Sequence, residues 1–519
     1  MGNHASSNGA SLKRGGAFTI GSSTQRERKK SLAKSENSTG GGGTTSGDEI
    51  ESVPTIMSPV EKLAKILTEK SKEDEGVNGV SLSTFTLYLF PRYQLLAEKL
   101  FNHFHRQSNS LRSYITTSDF KMQTEKFLAI LDDASAIDII VRMYSVYDAT
   151  KENAFVTPES LRSLLMCSYH IAMDHYSEGP QMCLLINKTL KAVVDSCFHS
   201  KTQLSMQFVS HWLAANTPRL LLPIHRYCVH CLATSYRTLE IDGPPLAAAK
   251  MEKFLVDNKS GEGLELATPV LDQPPIFGDK PPHPHLLQMS MSWLLAGALS
   301  PNYSRPRRAN SPSNSGTGLA SVNFLTKLLF AVPSHWLILY DSNEQGLGAN
   351  RFLHHVLAYK GPTLILIKAG DGSLFCIASS CEWKESHLYW GGEDCAAFQL
   401  LPKFLLLEKG SKMLYLNTTV RGYPQGLRAG KDPRNPIISV DGGFEKFEFR
   451  KIPLSISCIE VWGCGDQSSR ETQLDIKKWQ FKEAERQQTV KLSAADWLDH
   501  PDRYLLELAG RPVYNQKQT

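Results

Sequence analysis

"GPTLILIKAGDGSLFCIASS", residues 361–380, is the stretch on which the fold turns. Two short apolar runs, 363–367 and 374–378, flank the pair Asp371-Gly372. An Asp-Gly pair between β-prone runs supplies the positive φ angles of a tight turn, so the stretch predicts a β-hairpin. Runs of the same kind follow one another on either side: "HWLILYDS", "AAFQLLP", "KFLLLEKG", "MLYLNTT", "KFEFRKIP" and "SCIEVWG", each bounded by Gly, Pro or Asp. Beyond Phe324 the chain therefore predicts an antiparallel sheet domain.

Working outward from the sheet, residues 55–238 carry a different period. "VEKLAKILTEKSK", "TEKFLAILDDASAIDIIVRMYSVYD" and "ESLRSLLMCSYHIAMDHY" repeat apolar residues at three and four, which predicts an α-helical domain. The class expected is α+β, with five segments: a polar tether (1–52), a helical domain (53–240), a Pro/Gly-rich linker (241–284), the sheet domain (285–465, with an inserted loop at 301–320) and a helical extension (466–519).

The 519 residues carry a formal net charge of only +5 and no dense Lys/Arg stripe with interleaved aromatics, which argues against nucleic acid as a partner. No uninterrupted apolar run approaches the roughly 18–20 residues of a membrane span. The leader lacks the basic-then-apolar pattern of a secretory signal, so the ten cysteines are expected as cytosolic thiols.

The leader "MGNHASS" fits M-G-x-x-x-[ST], the pattern read for N-myristoylation, which makes Gly2 a lipidation candidate. One myristoyl chain binds membranes only marginally, at about 10⁴ M⁻¹, and a basic segment can supply the second signal. Lys13, Arg14, Arg26, Arg28, Lys29 and Lys30 lie in the same tether, and each cation near an anionic leaflet contributes about 1 kcal/mol. A peripheral, lipid-anchored protein is expected.

Gly361-Pro362-Thr363-Leu364, Ile367-Lys368, Asp371-Gly372, Phe375, Ala378 and Trp383 together resemble the core of the TLDc domain. "YWGGEDCAAFQLLPKF" is similar to that family's Gly-x-x-x-Cys-x-x-Phe-x-Leu-x-Pro stretch, read as Gly391, Cys395, Phe398, Leu400 and Pro402, with "DGGFEKFEF" and "CIEVWG" in order behind it. The resemblance, over about 285–465, implies a two-sheet β-sandwich with flanking helices. The Met-Gly start, helical region and C-terminal extension resemble the N-myristoylated, lysosome-associated branch linked to mTOR signalling, rather than the oxidation-resistance or nuclear-coactivator branches. It implies a regulator without catalytic residues or cofactor, acting as a monomer on the cytosolic face of the lysosomal membrane with a cytoplasmic pool. The implied partners are subunits of the vacuolar proton-pumping ATPase and mTOR pathway proteins. One departure stands out: "RNPIISVDGGFEKF" replaces the Gly-rich run common in the family before the last strands.

Four further groups carry possible chemistry. His225, Cys228, His230 and Cys231 in "HRYCVHC" have the residue types of a zinc site but lack a second ligand pair, so buried helical thiols are expected and no metal. Cys376, Cys381 and Cys395 are the thiols of the alternative reading, a redox-protective factor. "DATKENAFVTPE" places Asp148, Thr150, Glu152 and Glu159 at positions one, three, five and twelve of an EF-hand loop, while Asn153 and Val156 replace the turn glycine and a ligand. An EF-hand-like scaffold with weak calcium binding or none is expected. "SSRETQLDIKKWQFKEAERQQTVKL" reads as a helix that either packs on its own domain or offers Trp479 and Phe481 to a partner, with a second helical stretch after Ser493.

Overall fold

The computed structural model describes residues 58–108, 111–147, 154–174, 185–241, 269–271, 285–304, 307–308, 331–332, 335–465, 467–488, 505 and 508–510. The chain divides into Met1–Ile56 and Met57–Thr519, and every described residue belongs to the second unit. Gly2, the six basic tether residues, most of the 241–284 linker and most of the 301–320 loop lie outside the described residues.

The helices start where short polar side chains can satisfy orphan N–H groups. In α1 (Pro59–Glu75), the Ser58 hydroxyl accepts from the Glu61 N–H at 3.2 Å, Pro59 takes the first turn, and Gly76 ends the helix at φ +69°. The next elements are α2 (Leu82–Leu89), α3 (Gln94–Gln107), α4 (Thr117–Leu128), α5 (Asp133–Tyr144), β1 (Val146–Tyr147), β2 (Ala154–Val156), α6 (Pro158–Ala172), α7 (Ile186–Phe198), β3 (Leu204–Ser205), α8 (Met206–Asn216) and α9 (Leu222–Ile241). Ser81, Thr116, Asp132, Thr157 and Ser205 cap their helices in the same way. Two loop-to-loop contacts organise the first eight helices into two pairs of helix–loop–helix units. Val80 and Ile115 form one antiparallel bridge, and β1–β2–β3 forms the other, with Phe155 opposite both Val146 and Ser205. Helix α9 packs against α1, α5 and α6.

After β4 (Val270–Leu271) come α10 (Met289–Ala298), β5 (Arg307–Arg308), β6 (Ala331–Val332), β7 (His335–Asp341), the short α11 (Ser342–Gln345) and α12 (Ala349–Val356). The strands β8 (Thr363–Ala369), β9 (Leu374–Ser379), β10 (Ala396–Leu401), β11 (Leu405–Lys409), β12 (Leu414–Asn417), β13 (Gly426–Ala429), β14 (Ile438–Val440), β15 (Lys446–Phe449) and β16 (Ile452–Gly463) precede α13 (Gln467–Gln488). The opening hairpin is β8–β9: Gly372 sits at φ +85° and the Asp371 carboxylate accepts from the Ser373 N–H at 2.8 Å.

Strand β16 joins two sheets. Its N-terminal end pairs with β15, continuing through β14 and β13 to β12, while its C-terminal end lies between β8 and β7 in a sheet running β11-β10-β9-β8-β16-β7-β4. The two sheets face each other across one core, to which Ile365, Ile367, Phe375 and Ile377 contribute from the first sheet and Leu416, Leu427, Val440 and Phe447 from the second. The alternate residues Leu364, Leu366, Cys376, Ala378, Phe398 and Leu400 belong to another core, shared with α1 through α10. Because successive strand side chains point to opposite faces, a strand buried on both sides reads as an unbroken apolar run. Helices and sandwich thus share one apolar mass, with Thr189 on α7 donating to Ser290 on α10 at 2.9 Å and the Phe404 N–H reaching the Ala192 carbonyl at 3.1 Å.

Candidate functional site

Helix α13 leaves the end of β16 and lies against α12 for its first turns. Gln473 is fully buried, and its amide donates to the carbonyls of His355 at 2.9 Å and Leu357 at 3.1 Å, two groups at the C-terminal end of α12 that the helix itself leaves open. Arg470 donates to the Gln473 side-chain oxygen at 2.5 Å, which fixes the orientation of the amide. Burial lowers the pKa of both Arg470 and Lys477, and Arg470 lowers that of Lys477 further. The seat is made by a polar clamp rather than an apolar stripe.

Beyond Lys477 the helix leaves its domain. Leu474, before that point, is 40% exposed; past it, Trp479 is 62% exposed and Phe481 68%. At about 100° per residue, Trp479 and Phe481 stand roughly 160° apart around the axis, so they cannot enter one narrow groove together. A partner that buries both must wrap around the helix at this point.

The other candidate residues are distributed as follows. Asp148, Thr150 and Glu152 lie outside the described residues, and Glu159 is exposed in the first turn of α6. His225, Cys228, His230 and Cys231 are all buried on α9; burial pushes the Cys231 thiol to about 12 and lowers both histidines to about 4. In the sandwich, burial pushes the Cys376 and Cys395 thiols up, which disfavours the nucleophilic thiolate, and Cys381 is exposed. The Ser380 hydroxyl lies 3.8 Å from the Cys381 sulfur and 3.6 Å from that of Cys395.

Sequence reasoning did not single out Gln473, a lone polar residue in a polar helix, nor Glu460, a carboxylate set in the apolar run "CIEVW". That carboxylate is fully buried, and the interruption of the run was the available signal.

The sandwich and the helices covering its outer face are what the resemblance to the TLDc domain implied, and the chain carries a TLDc domain matched over residues 314–465. Among proteins it is similar to, "MTOR-associated protein MEAK7" of Xenopus laevis is 25% identical over 157 residues, covering 27% of this chain and 34% of the relative. The Mus musculus protein of that name is 28% identical over 167 residues, covering 28% of this chain and 36% of the relative. "Restriction of telomere capping protein 5" of Colletotrichum graminicola is 24% identical over 267 residues, covering 37% and 43%. The matched stretches span less than half the length of these relatives.

Proposed function

We propose that the chain is a non-catalytic, lipid-anchored adaptor on the cytosolic face of the lysosomal membrane, which binds the vacuolar proton-pumping ATPase through its TLDc domain and α13 and supports mTOR signalling. The observation that carries the partner-binding part is the exposure of Trp479 and Phe481 on a helix whose first turns are clamped to the TLDc domain. The relatives named as MTOR-associated proteins favour the signalling role, and the pump and the lysosome follow from the resemblance set out above. The anchor rests on Gly2 and on Lys13, Arg14, Arg26, Arg28, Lys29 and Lys30. Among the described residues, no helix is long and apolar enough to cross a membrane.

Affinity capture from membrane extracts with the full-length protein and its Trp479→Ala/Phe481→Ala variant, read by mass spectrometry, tests the reading. Pump subunits recovered by the first and lost by the second support it. Equal recovery assigns binding elsewhere, and no subunits from either, with the pump assembled, oppose it. The redox-protective alternative draws on the exposed thiol of Cys381 beside Cys395, and predicts that Cys381→Ser removes peroxide protection.

A further inference from the structure

Three groups from distant parts of the chain meet on the helix-facing side of the first sheet: His285 ahead of α10, Asp341 at the end of β7, and Glu460 within β16. His285 Nδ1 lies 3.5 Å from Asp341 Oδ2 and 3.5 Å from Glu460 Oε1. Glu460 is fully buried and Asp341 is 2% exposed, so two carboxylates face one imidazole nitrogen out of water. Neither separation is a hydrogen bond, and the Nδ1 atom is buried without one among the described residues.

We propose that His285, Asp341 and Glu460 bind one divalent cation of the zinc type, which clasps the start of the 285–304 segment to β7 and β16. Charge favours a cation at this point, since a divalent ion between the two desolvated carboxylates would balance them. Spacing comes second. A charge-assisted N–H···O⁻ contact closes to about 2.7–2.9 Å, whereas atoms bonded tetrahedrally at about 2.0–2.1 Å to a shared zinc ion stand roughly 3.3–3.4 Å apart. The observed 3.5 Å separations match the second. Orientation comes third, since metal-binding carboxylates are held by outer hydrogen bonds. Glu460 accepts from the Leu286 N–H at 2.6 Å, the Leu287 N–H at 3.3 Å and the Trp462 indole at 2.9 Å, and Asp341 Oδ1 accepts from the Asn343 N–H at 2.8 Å. These bonds leave Asp341 Oδ2 open toward the imidazole. One nitrogen and two oxygens suit zinc better than calcium, which takes six to eight oxygens. The partly exposed His285 edge, 26% by side chain, leaves room for water as the fourth ligand.

The test uses chelator-stripped full-length protein titrated with Zn²⁺ by calorimetry, and with Co²⁺ by visible absorption. Expected are one Zn²⁺ per chain, tetrahedral cobalt bands without thiolate charge transfer, and a zinc dissociation constant raised about tenfold or more in His285→Gln and Asp341→Asn. Circular dichroism confirms that both variants fold, and His211→Gln, at an exposed position on α8, is expected to leave binding unchanged. No zinc uptake by the wild type, unchanged affinity in folded His285→Gln, or a thiolate signature would overturn the proposal.

Discussion

Gln473 closes the end of a helix that is not its own: its amide, on α13, serves the carbonyl of His355, on α12, at 2.9 Å and that of Leu357 at 3.1 Å. Gln473→Leu leaves both carbonyls and the Arg470 guanidinium without this partner. A buried unsatisfied polar group costs about 1–3 kcal/mol. The expected outcome is detachment of α13 without unfolding of the sandwich, read as faster amide hydrogen exchange across 467–488 with little change across 363–379.

Ile365 and Leu366 are neighbours that serve different cores. Truncation to alanine in a packed core costs about 2–5 kcal/mol. Ile365→Ala is expected to loosen the second sheet first, and Leu366→Ala the packing of α7 and α10 on the first sheet, with residue-resolved hydrogen exchange separating the two.

Two glycines with positive φ should respond unequally to alanine. A Cβ at Gly372, φ +85°, meets nothing within 4 Å, so Gly372→Ala carries only the backbone penalty of roughly 1–2 kcal/mol. A Cβ at Gly426, φ +108°, would stand 2.0 Å from the Val440 carbonyl oxygen across the β13–β14 pair. Gly426→Ala is expected to lower the urea midpoint by clearly more than Gly372→Ala; equal midpoints would refute the contrast.

Acid should weaken the helical region. Burial lowers His103, His225 and His230 to about 4, with Arg106 and Arg142 adding to the shift at His103 and Arg226 at His225. The unfolded chain, titrating near 6.5, therefore binds more protons than the folded one between these values. Stability from the neutral histidines is complete above about pH 6.5 and is lost as pH falls toward about 4, at up to about 1.4 kcal/mol per pH unit for each. Urea midpoints at pH 7 and pH 5 read the loss, and His225→Phe is expected to flatten it.

Much of this architecture was legible in the residues. Asp371-Gly372 announced its hairpin because only a few residue pairs supply that turn, and apolar residues at three and four in "VEKLAKILTEKSK" announced a helix because that period places them on one face. Longer-range facts were not legible. "TLILI" carries no sign of which residue faces which core, since an unbroken apolar run erases the alternation that would tell. The clamp at Gln473 and the meeting of His285, Asp341 and Glu460 depend on residues 116 to 118 and 56 to 175 positions apart, respectively, so no local pattern could carry them.

The shared strand also fixes how the molecule bears a load. Strand β16 runs into α13, so tension applied to that helix enters the sandwich along the strand axis. There it meets seven registered pairs with β8 and four with β7, all loaded sideways and together rather than peeled one after another. A pull on α13 is therefore resisted by the strongest lattice of bonds in the sandwich, and the weaker polar clamp at Gln473 yields before it.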